Sequence, residues 1–426
     1  MIELTPQQEA CSQAMLRWDR EQTSYKQVFR VDGYAGTGKT STIMHTIEKM
    51  GGSTVFAAYT GKAASVMQSR GCPNAQTIHS LIYKPSGSGA DRKQEANDIM
   101  LQIDQTLDEY IHAERMTPEE AEEQEKVKEL RNKLAQVTAI ASSPIFRLNP
   151  DSPIRDVNRV VIDESSMVSD ELGHDLLSFK IPVLVMGDPG QLPPVYGAGF
   201  FSRGKPDFQL TEIHRQAEGN PILHLATQAR KGQRLQLGMY GSSGVFNHVP
   251  EWAPLEADQI IVGRNATRRM TNDRMRQLRG FVPDVETARS ILPQRGEKVI
   301  CLRNNNNLGL LNGTLWHVQD CHPSGYERVS LTIIPEEGGL PITILAHEQY
   351  FTSKHNDPKI INQEIGFSIT EAESFDYGYC ITAHKAQGSQ WDKVLVIDQS
   401  ASFATPDKWL YTALTRAVND VWVVRK

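Results

Sequence analysis

Gly33-Tyr34-Ala35-Gly36-Thr37-Gly38-Lys39-Thr40 is the stretch on which the reading of this chain turns. It follows the apolar run Val28-Phe29-Arg30-Val31 and precedes a helical pattern that begins at about Lys39. The spacing is GxxxxGK[ST] between a strand and a helix, a context in which glycines let backbone N–H groups close around phosphate oxygens. The N-terminus of the following helix adds positive potential at the same place. In such a loop Lys39 reaches the β- and γ-phosphates of a nucleotide and Thr40 holds a metal, so ATP and Mg²⁺ are the expected ligands. Gly33, Gly36, Thr37 and Gly38 complete the expected phosphate cradle. A glycine-rich turn that binds nothing is the alternative, and spacing and context together disfavour it.

A phosphate cradle needs a carboxylate for the metal and a group to orient the attacking water. Val160-Val161-Ile162-Asp163-Glu164 supplies an apolar strand ending in two acids. Asp163 is expected to hold Mg²⁺ through its waters and Glu164 to act as general base. A further apolar run at residues 183–186 leads into Gly187-Asp188-Pro189-Gly190-Gln191, which brings the Gln191 carboxamide to the same sheet edge, where it would sense the γ-phosphate.

Outward from these motifs, short apolar strands alternate with helical patterns, which predicts an α/β fold: parallel sheets flanked by helices, with ligands at the carboxyl ends of the strands. At 426 residues two or more domains are expected. The rhythm breaks between residues 84 and 158. There Ile99, Ile103, Leu107 and Tyr110, then Val127, Leu130, Leu134 and Val137, recur at helical spacing. Thr117-Pro118-Glu119-Glu120 reads as a helix start. The prediction is an antiparallel helical hairpin with an acidic face carrying Glu119, Glu120, Glu122, Glu123 and Glu125, read as a solvated stalk in preference to a partner-docking arm. Residues 144–156 are expected to form a short β-hairpin around Pro150-Asp151-Ser152-Pro153. A second α/β rhythm begins at residues 259–262 and resumes at 393–397. Between them residues 294–375 are glycine-punctuated and β-rich, suggesting a small inserted barrel. Gly263-Arg264-Asn265, followed by a helix carrying Arg268, Arg269, Arg274, Arg276 and Arg279, reads either as a phosphate-binding segment or as a solvated helix face.

The net charge of −6 weighs mildly against a chain coated in positive charge but leaves room for a local basic groove. The five cysteines form no CxxC pair, which argues against a disulfide framework and a zinc site. Neither a run of about eighteen apolar residues nor a signal-like start occurs, so no membrane association and a cytoplasmic location are expected.

Several further segments fall in order along the chain: LTPQQEA at 4–10, AAYTGKAA at 57–64, AQTIHSLI at 75–82, IDES at 162–165, GDPGQLPPV at 187–195, LTEIHRQ at 210–216, ITAHKAQGSQ at 381–390 and YTALTRA at 411–417. With the phosphate loop, this series resembles the superfamily 1 helicases of the RecD, Dda and Pif type. The resemblance implies an ATP-dependent DNA helicase that translocates 5′ to 3′ on single-stranded DNA and opens forked duplex. It makes Gln8 the adenine contact, Gly388 a further nucleotide contact, and Arg215 and Arg416 arginine fingers on the γ-phosphate. It points to Thr60, Lys62, Thr77, His79, Thr382, His384 and Lys385 as the strand track; Thr77 also reads as a helix cap and His384 as an interior hydrogen-bonding residue. The implied architecture is a first RecA-like core (1–84 with 157–225), an insertion with the acidic hairpin (85–156), a second RecA-like core (226–293 with 376–426) and an SH3-like insertion (294–375). Within the first insertion, a strand-separating pin is expected at residues 146–154, with Phe146 as a wedge or a core residue. Many relatives carry glutamate where this chain has Gln390, which puts nucleotide selectivity in question. The alternatives are a nucleotide-gated clamp that does not unwind, and an RNA-directed helicase. A monomer is expected, with the acidic hairpin as a docking arm for a single-strand-binding or replication partner if it is not a stalk.

Overall fold

The computed structural model describes residues 4–21, 26–85, 98–99, 102–103, 105–107, 109–110, 116–117, 120, 124–141, 146–193, 199–212, 219–305, 308–325, 327–336, 338–355, 358–365 and 372–425. Two compact units are present: Met1–Ile82, Asp151–Ile361 and Ala372–Lys426 form the first, Tyr83–Pro150 and Asn362–Glu371 the second. In chain order the strands are β1 (Val28–Gly33), β2 (Thr54–Ala58), β3 (Gln76–Thr77), β4 (Tyr83–Pro85), β5 (Phe146–Leu148), β6 (Arg159–Asp163), β7 (Val183–Gly187), β8 (Phe208–Leu210), β9 (Gly238–Tyr240), β10 (Ser243–Phe246), β11 (Gln259–Val262), β12 (Lys298–Cys301), β13 (Leu315–Pro323), β14 (Arg328–Pro335), β15 (Ile342–His347), β16 (Phe375–Tyr377), β17 (Cys380–Thr382), β18 (Trp391–Ile397) and β19 (Ala417–Val424).

The first unit holds two six-stranded sheets, ordered β3-β2-β6-β7-β1-β8 and β17-β11-β18-β19-β10-β9. In the first sheet every pairing is parallel. Its central strands are apolar because both faces are covered: β7 is buried throughout and β6 along its first four residues. Adjacent parallel strands bring the carboxyl ends of β1, β6 and β7 to one edge, and Gly33, Asp163 and Gly187 all lie there. The second sheet is parallel except for β9, which runs antiparallel to β10 at the edge. Leu192, on the loop after β7, is buried in the core of the second sheet among residues such as Trp409 and Leu414, so the two sheets share apolar packing.

A five-stranded antiparallel sheet, ordered β15-β14-β13-β12-β16, fills the β-rich stretch. Its outer strands approach one another: Glu373 N donates to Leu345 O (2.7 Å) and His347 N donates to Glu373 O (3.0 Å). The pairing of Val299 with Tyr377 carries this sheet two residues past the expected limit at 375. Among the described residues no helix is long and apolar enough to cross a membrane.

In the second unit, Ile99, Ile103 and Val127 are buried together, with Leu107, Tyr110 and Leu130 packed against them. These are positions the helical spacing picks out. The helix start at Thr117 forms a reciprocal cap, Thr117 N donating to the Glu120 carboxylate (2.9 Å) and Glu120 N to Thr117 Oγ1 (3.2 Å). The expected hairpin at residues 144–156 does not form. Instead β5 pairs antiparallel with β4, and Pro153–Asp156 is a 3-10 turn in which Ser152 Oγ accepts from Ile154 N (3.3 Å). Pro153 has no N–H to give to a return strand, whereas its fixed φ suits the first position of a turn. Phe146 begins β5, paired opposite Pro85.

Neither expectation for the arginine-rich helix holds at its inner face. In the helix Asn265–Leu278, Arg268, Arg269 and Arg276 are only 8%, 2% and 0% exposed. Arg268 meets Asp376 at 2.7 Å, and Arg276 forms a two-bonded pair with the fully buried Glu297 (2.7 and 2.8 Å). Burial pushes the Asp376 carboxyl up, but the guanidiniums of Arg268, Arg289 and Arg269 outweigh it and hold the group below its usual range. These arginines are therefore internal ties between the helix and the β-rich segment, because a planar guanidinium satisfies a carboxylate and several carbonyls at once. Arg276→Met leaves the buried Glu297 without its cation partner, and should cost about 3–5 kcal/mol, read from urea unfolding midpoints. The double variant Arg276→Met/Glu297→Leu should recover most of that loss. If the single variant unfolds at the wild-type midpoint, the pair does not tie the segments together.

Candidate nucleotide site and strand track

The loop after β1 folds tightly because its glycines allow it. A Cβ at Gly33 would stand 2.6 Å from Thr37 Oγ1, and Gly36 and Gly38 adopt φ of 79° and 74°, in the left-handed region. Thr37 N and Thr37 Oγ1 both donate to Tyr34 O (3.3 and 2.8 Å), closing the turn. Lys39 Nζ donates to Gly33 O (2.6 Å) and Tyr34 O (3.2 Å) and lies 3.9 Å from the Asp188 carboxylate. Gln8 is 3% exposed; its amide donates to Thr37 O (3.1 Å) and accepts from Thr5 N (3.0 Å). The amide thus ties the phosphate loop to the start of its own helix. Gln7, beside it, accepts from Thr211 N and Glu212 N (2.9 and 3.0 Å), just before the Arg215 segment.

At the neighbouring strand ends, Asp163 Oδ accepts from Glu164 N (2.8 Å), and Glu164 adopts φ 52° and ψ 41°. A non-glycine residue held there costs on the order of 1–3 kcal/mol and is a recurrent mark of functional strain. Asp188 accepts from Gly190 N (2.9 Å) and from the Tyr411 hydroxyl (2.8 Å). Burial pushes Asp163, Glu164 and Asp188 above the usual carboxylate range, against the pull of Lys39 on all three and of Arg416 on the first two. Gln191 is buried; it hydrogen-bonds Glu164, while its carbonyl oxygen has no partner among the described residues. An orphaned acceptor beside a basic carboxylate is suited to a water molecule, which has two hydrogens to give.

These groups line one cavity of about 620 Å³, to which the second sheet contributes Gln390, Thr415 and Arg416. Arg416 is held by Thr412 O (3.1 Å), Ser389 O (3.3 Å) and Thr415 Oγ1 (3.2 Å), with its guanidinium 3.9 Å from Glu164. Arg215 lies in residues 213–218, outside the described residues. Arg70, which no motif singled out, lines the cavity and donates to Gln390 Oε1 (2.7 Å). Asp188 and Tyr411 were visible only as members of longer motifs; no residue pattern assigned them contacts. Among the described residues no group of three or more His, Cys, Asp or Glu side chains could hold a metal. Thr40 and Asp163 therefore fit a cation shared with phosphates and water better than a closed protein cage.

The expected track residues divide. Thr60 caps the helix Gly61–Ser69 by accepting from Ala63 N (3.1 Å), and Gly388, at φ 77°, approaches so closely that a Cβ there would lie 2.9 Å from Ala63 Cβ and 3.0 Å from Thr60 Oγ1. Gly388 thus stands at the seam between the two sheets and is absent from the cavity lining. Lys385 donates to Asn312, on the β-rich segment, and burial lowers its pKa to about 8. Leu311, the next residue on that segment, abuts Gly61. Lys62 is half-buried, and burial lowers its pKa as well. Thr77 accepts from Ser80 N (3.1 Å), so it does cap the short helix Ile78–Ile82. His79 is exposed. Thr382 ends β17 and accepts from Lys385 N (3.4 Å), and the half-buried His384 ring lies 6.0 Å from that of Phe403.

Residues 3–251, more than half of the chain, match the model of the AAA domain family. The chain belongs to that family. Residues 377–424 match the UvrD-like helicase C-terminal domain. The chain is 29% identical over 282 residues to the ATP-dependent RecD2 DNA helicase of Deinococcus radiodurans, covering 61% of this chain and 35% of that protein. It is 24% identical over 293 residues to the conjugal transfer protein TraA of Rhizobium radiobacter, covering 61% of this chain and 24% of that protein. It therefore spans about a third or less of the length of these two relatives. The RecBCD enzyme subunit RecD of Mycolicibacterium smegmatis is 26% identical over 419 residues, with 92% of this chain and 67% of that protein covered. Among solved structures, a Bacteroides Pif1 bound to single-stranded DNA superposes with a TM-score of 0.53 at 19% identity, covering 99% of this chain and 92% of that one. Pif1 helicases at forked double-stranded DNA give 0.52 at 17% identity, with the same coverage. The α/β fold with parallel sheets and helices is the one these Pif1 structures share.

Proposed function

We propose that the chain is an ATP-dependent DNA helicase or translocase of the RecD and Pif type, moving 5′ to 3′ on single-stranded DNA and opening forked duplex. The observation that carries this reading is the cavity that Lys39, Asp163 and Glu164 from the first sheet line together with Arg416 from the second, whose guanidinium lies 3.9 Å from Glu164. An ATPase that only hydrolyses has no need of a charge from a second sheet. A motor does, because a guanidinium that engages the γ-phosphate across a seam turns hydrolysis into opening and closing. In this reading the two parallel sheets are RecA-like cores, and the edge contacts of Glu373 support an SH3-like barrel for the β-rich segment. Lys39 and the loop amides bind phosphates, and Gln191 orients a water from which Glu164 takes the proton. Mg²⁺, held by Thr40 and Asp163 with the phosphates, would neutralise developing negative charge. Thr60, Lys62, Thr77, His79, Thr382, His384 and Lys385 then grip successive phosphates of the strand without reading bases. Arg215 is the second finger and Phe146 the wedge, both on resemblance alone.

The test is ATP turnover with no polymer, single-stranded DNA, duplex DNA and RNA, followed by unwinding of duplexes with 5′ or 3′ overhangs. Single-stranded DNA should raise turnover several-fold, and only the 5′ overhang should support unwinding. Turnover indifferent to single strands sinks the motor. Preference for a 3′ overhang overturns the polarity, and stronger stimulation by RNA overturns the DNA assignment.

A further inference from the structure

Tyr411 makes a connection that the reaction as described does not use. It sits in the helix Pro406–Leu414 on the second sheet and is 2% exposed, yet its hydroxyl ends in the first sheet's nucleotide site. The hydroxyl accepts from Ala35 N, inside the phosphate loop, at 2.7 Å and donates to Asp188 at 2.8 Å. Asp188 in turn lies 3.9 Å from Lys39. The ring is seated closely against Gly190, where a Cβ would come within 2.8 Å of Tyr411 Cε1. Next to it, Thr412 Oγ1 accepts from Leu192 N (2.9 Å), and Gln387 donates to Leu192 O (3.0 Å). Those two bonds join the sheets without touching the phosphate loop. Tyr411 alone in this group spans loop amide and lysine partner together, and Arg416 follows it shortly on the same segment.

We propose that Tyr411 is a positioning residue that reports the state of the phosphate loop to the second sheet. This rests on the reading of the cavity as an ATP site. In the structure Lys39 is bonded to loop carbonyls and lies near Asp188. A γ-phosphate draws Lys39 toward itself, leaving Asp188 with Tyr411 and Gly190 N as its partners. The pull on the hydroxyl then passes into the helix Pro406–Leu414, whose end leads directly to Arg416. A tyrosine that merely packs would need the ring but not the hydroxyl.

The experiment measures the affinity of a fluorescein-labelled oligo(dT) by anisotropy, with and without ADP and beryllium fluoride, in the full chain. The ratio of the two affinities is the coupling between the sites. In the wild type the ratio should differ clearly from one. In Tyr411→Phe it should collapse to within about twofold of one, with nucleotide-free DNA affinity kept within about threefold. Thr412→Val, which removes a bond of the same seam away from the loop, should keep the wild-type ratio. Asp188→Ala removes the acceptor of the Tyr411 hydroxyl from the first sheet and should also collapse the ratio, which covers a Tyr411→Phe protein that does not fold. A Tyr411→Phe ratio equal to wild type, or equal losses in Tyr411→Phe and Thr412→Val, overturns the proposal. A wild-type ratio of one does so too. Failure of the wild type to bind the nucleotide at all instead overturns the reading of the cavity.

Discussion

Arg416→Ala is expected to lower DNA-stimulated ATP turnover by roughly 10³–10⁵-fold, the range of an arginine finger in phosphoryl transfer. The side chain is buried and oriented by Thr412 O, Ser389 O and Thr415 Oγ1, so its guanidinium is aimed before any substrate arrives. Its distance of 3.9 Å from Glu164 places positive charge beside the carboxylate that would activate water. In a water-poor cleft such a charge is worth more against a developing phosphoryl negative charge than it would be in solution. Nucleotide binding should survive, because the loop and Lys39 lie on the other sheet. Arg416→Lys should rescue little, since an ammonium cannot reproduce the planar fork that the three anchors position. Steady-state ATPase assays paired with a fluorescent-nucleotide binding measurement decide the matter. A loss under about tenfold, with binding intact, would exclude the finger role.

Glu164→Gln should reduce turnover by roughly 10²–10⁴-fold, the usual contribution of a positioned general base. The substitution keeps the shape of the residue and its left-handed backbone, and removes only the ability to take a proton. Burial pushes Glu164 above the usual carboxylate range. Since the protonated acid cannot accept a proton, wild-type turnover should fall as pH drops through that raised value, nearer neutrality than an ordinary carboxylate would give. The residual activity of the variant should lack this acid limb. Stability follows the opposite sense. A carboxyl whose pKa is raised by folding contributes stability below its unfolded pKa, and loses that contribution as pH rises through the folded value. Glu164→Gln should therefore melt higher than wild type at neutral pH, with the gap closing in acid. A variant that melts lower at neutral pH, or that keeps the acid limb, contradicts the assignment.

The phosphate loop and the Asp163-Glu164 pair could be read from residue order because their chemistry is local. Gly36 and Gly38 supply backbone angles their neighbours cannot, and an apolar strand carries each motif to a sheet edge. The packing of Ile99 and Ile103 with Val127, and the cap at Thr117, were legible for the same reason: period and capping act within a few residues. The pairing of β5 with β4 was not, because it joins segments on either side of a long insertion and no local pattern names the partner. Nor were the buried arginines. Arg276 reads as a surface charge until Glu297 and Tyr377 surround it, and only the close approach of two segments makes its burial affordable.

Residue order by itself thus determined two α/β sheets and carried the phosphate-loop motif and the Asp163-Glu164 pair to strand ends of the first, since each depends on short-range spacing and backbone freedom. Tertiary structure alone decided that Gln8 supports the loop, that Gly388 lies at the seam, that Arg70 meets Gln390, and that the Tyr411 hydroxyl joins Ala35 to Asp188. Those contacts link residues distant in sequence, and a hydrogen bond made across two packed sheets leaves no periodicity in either partner.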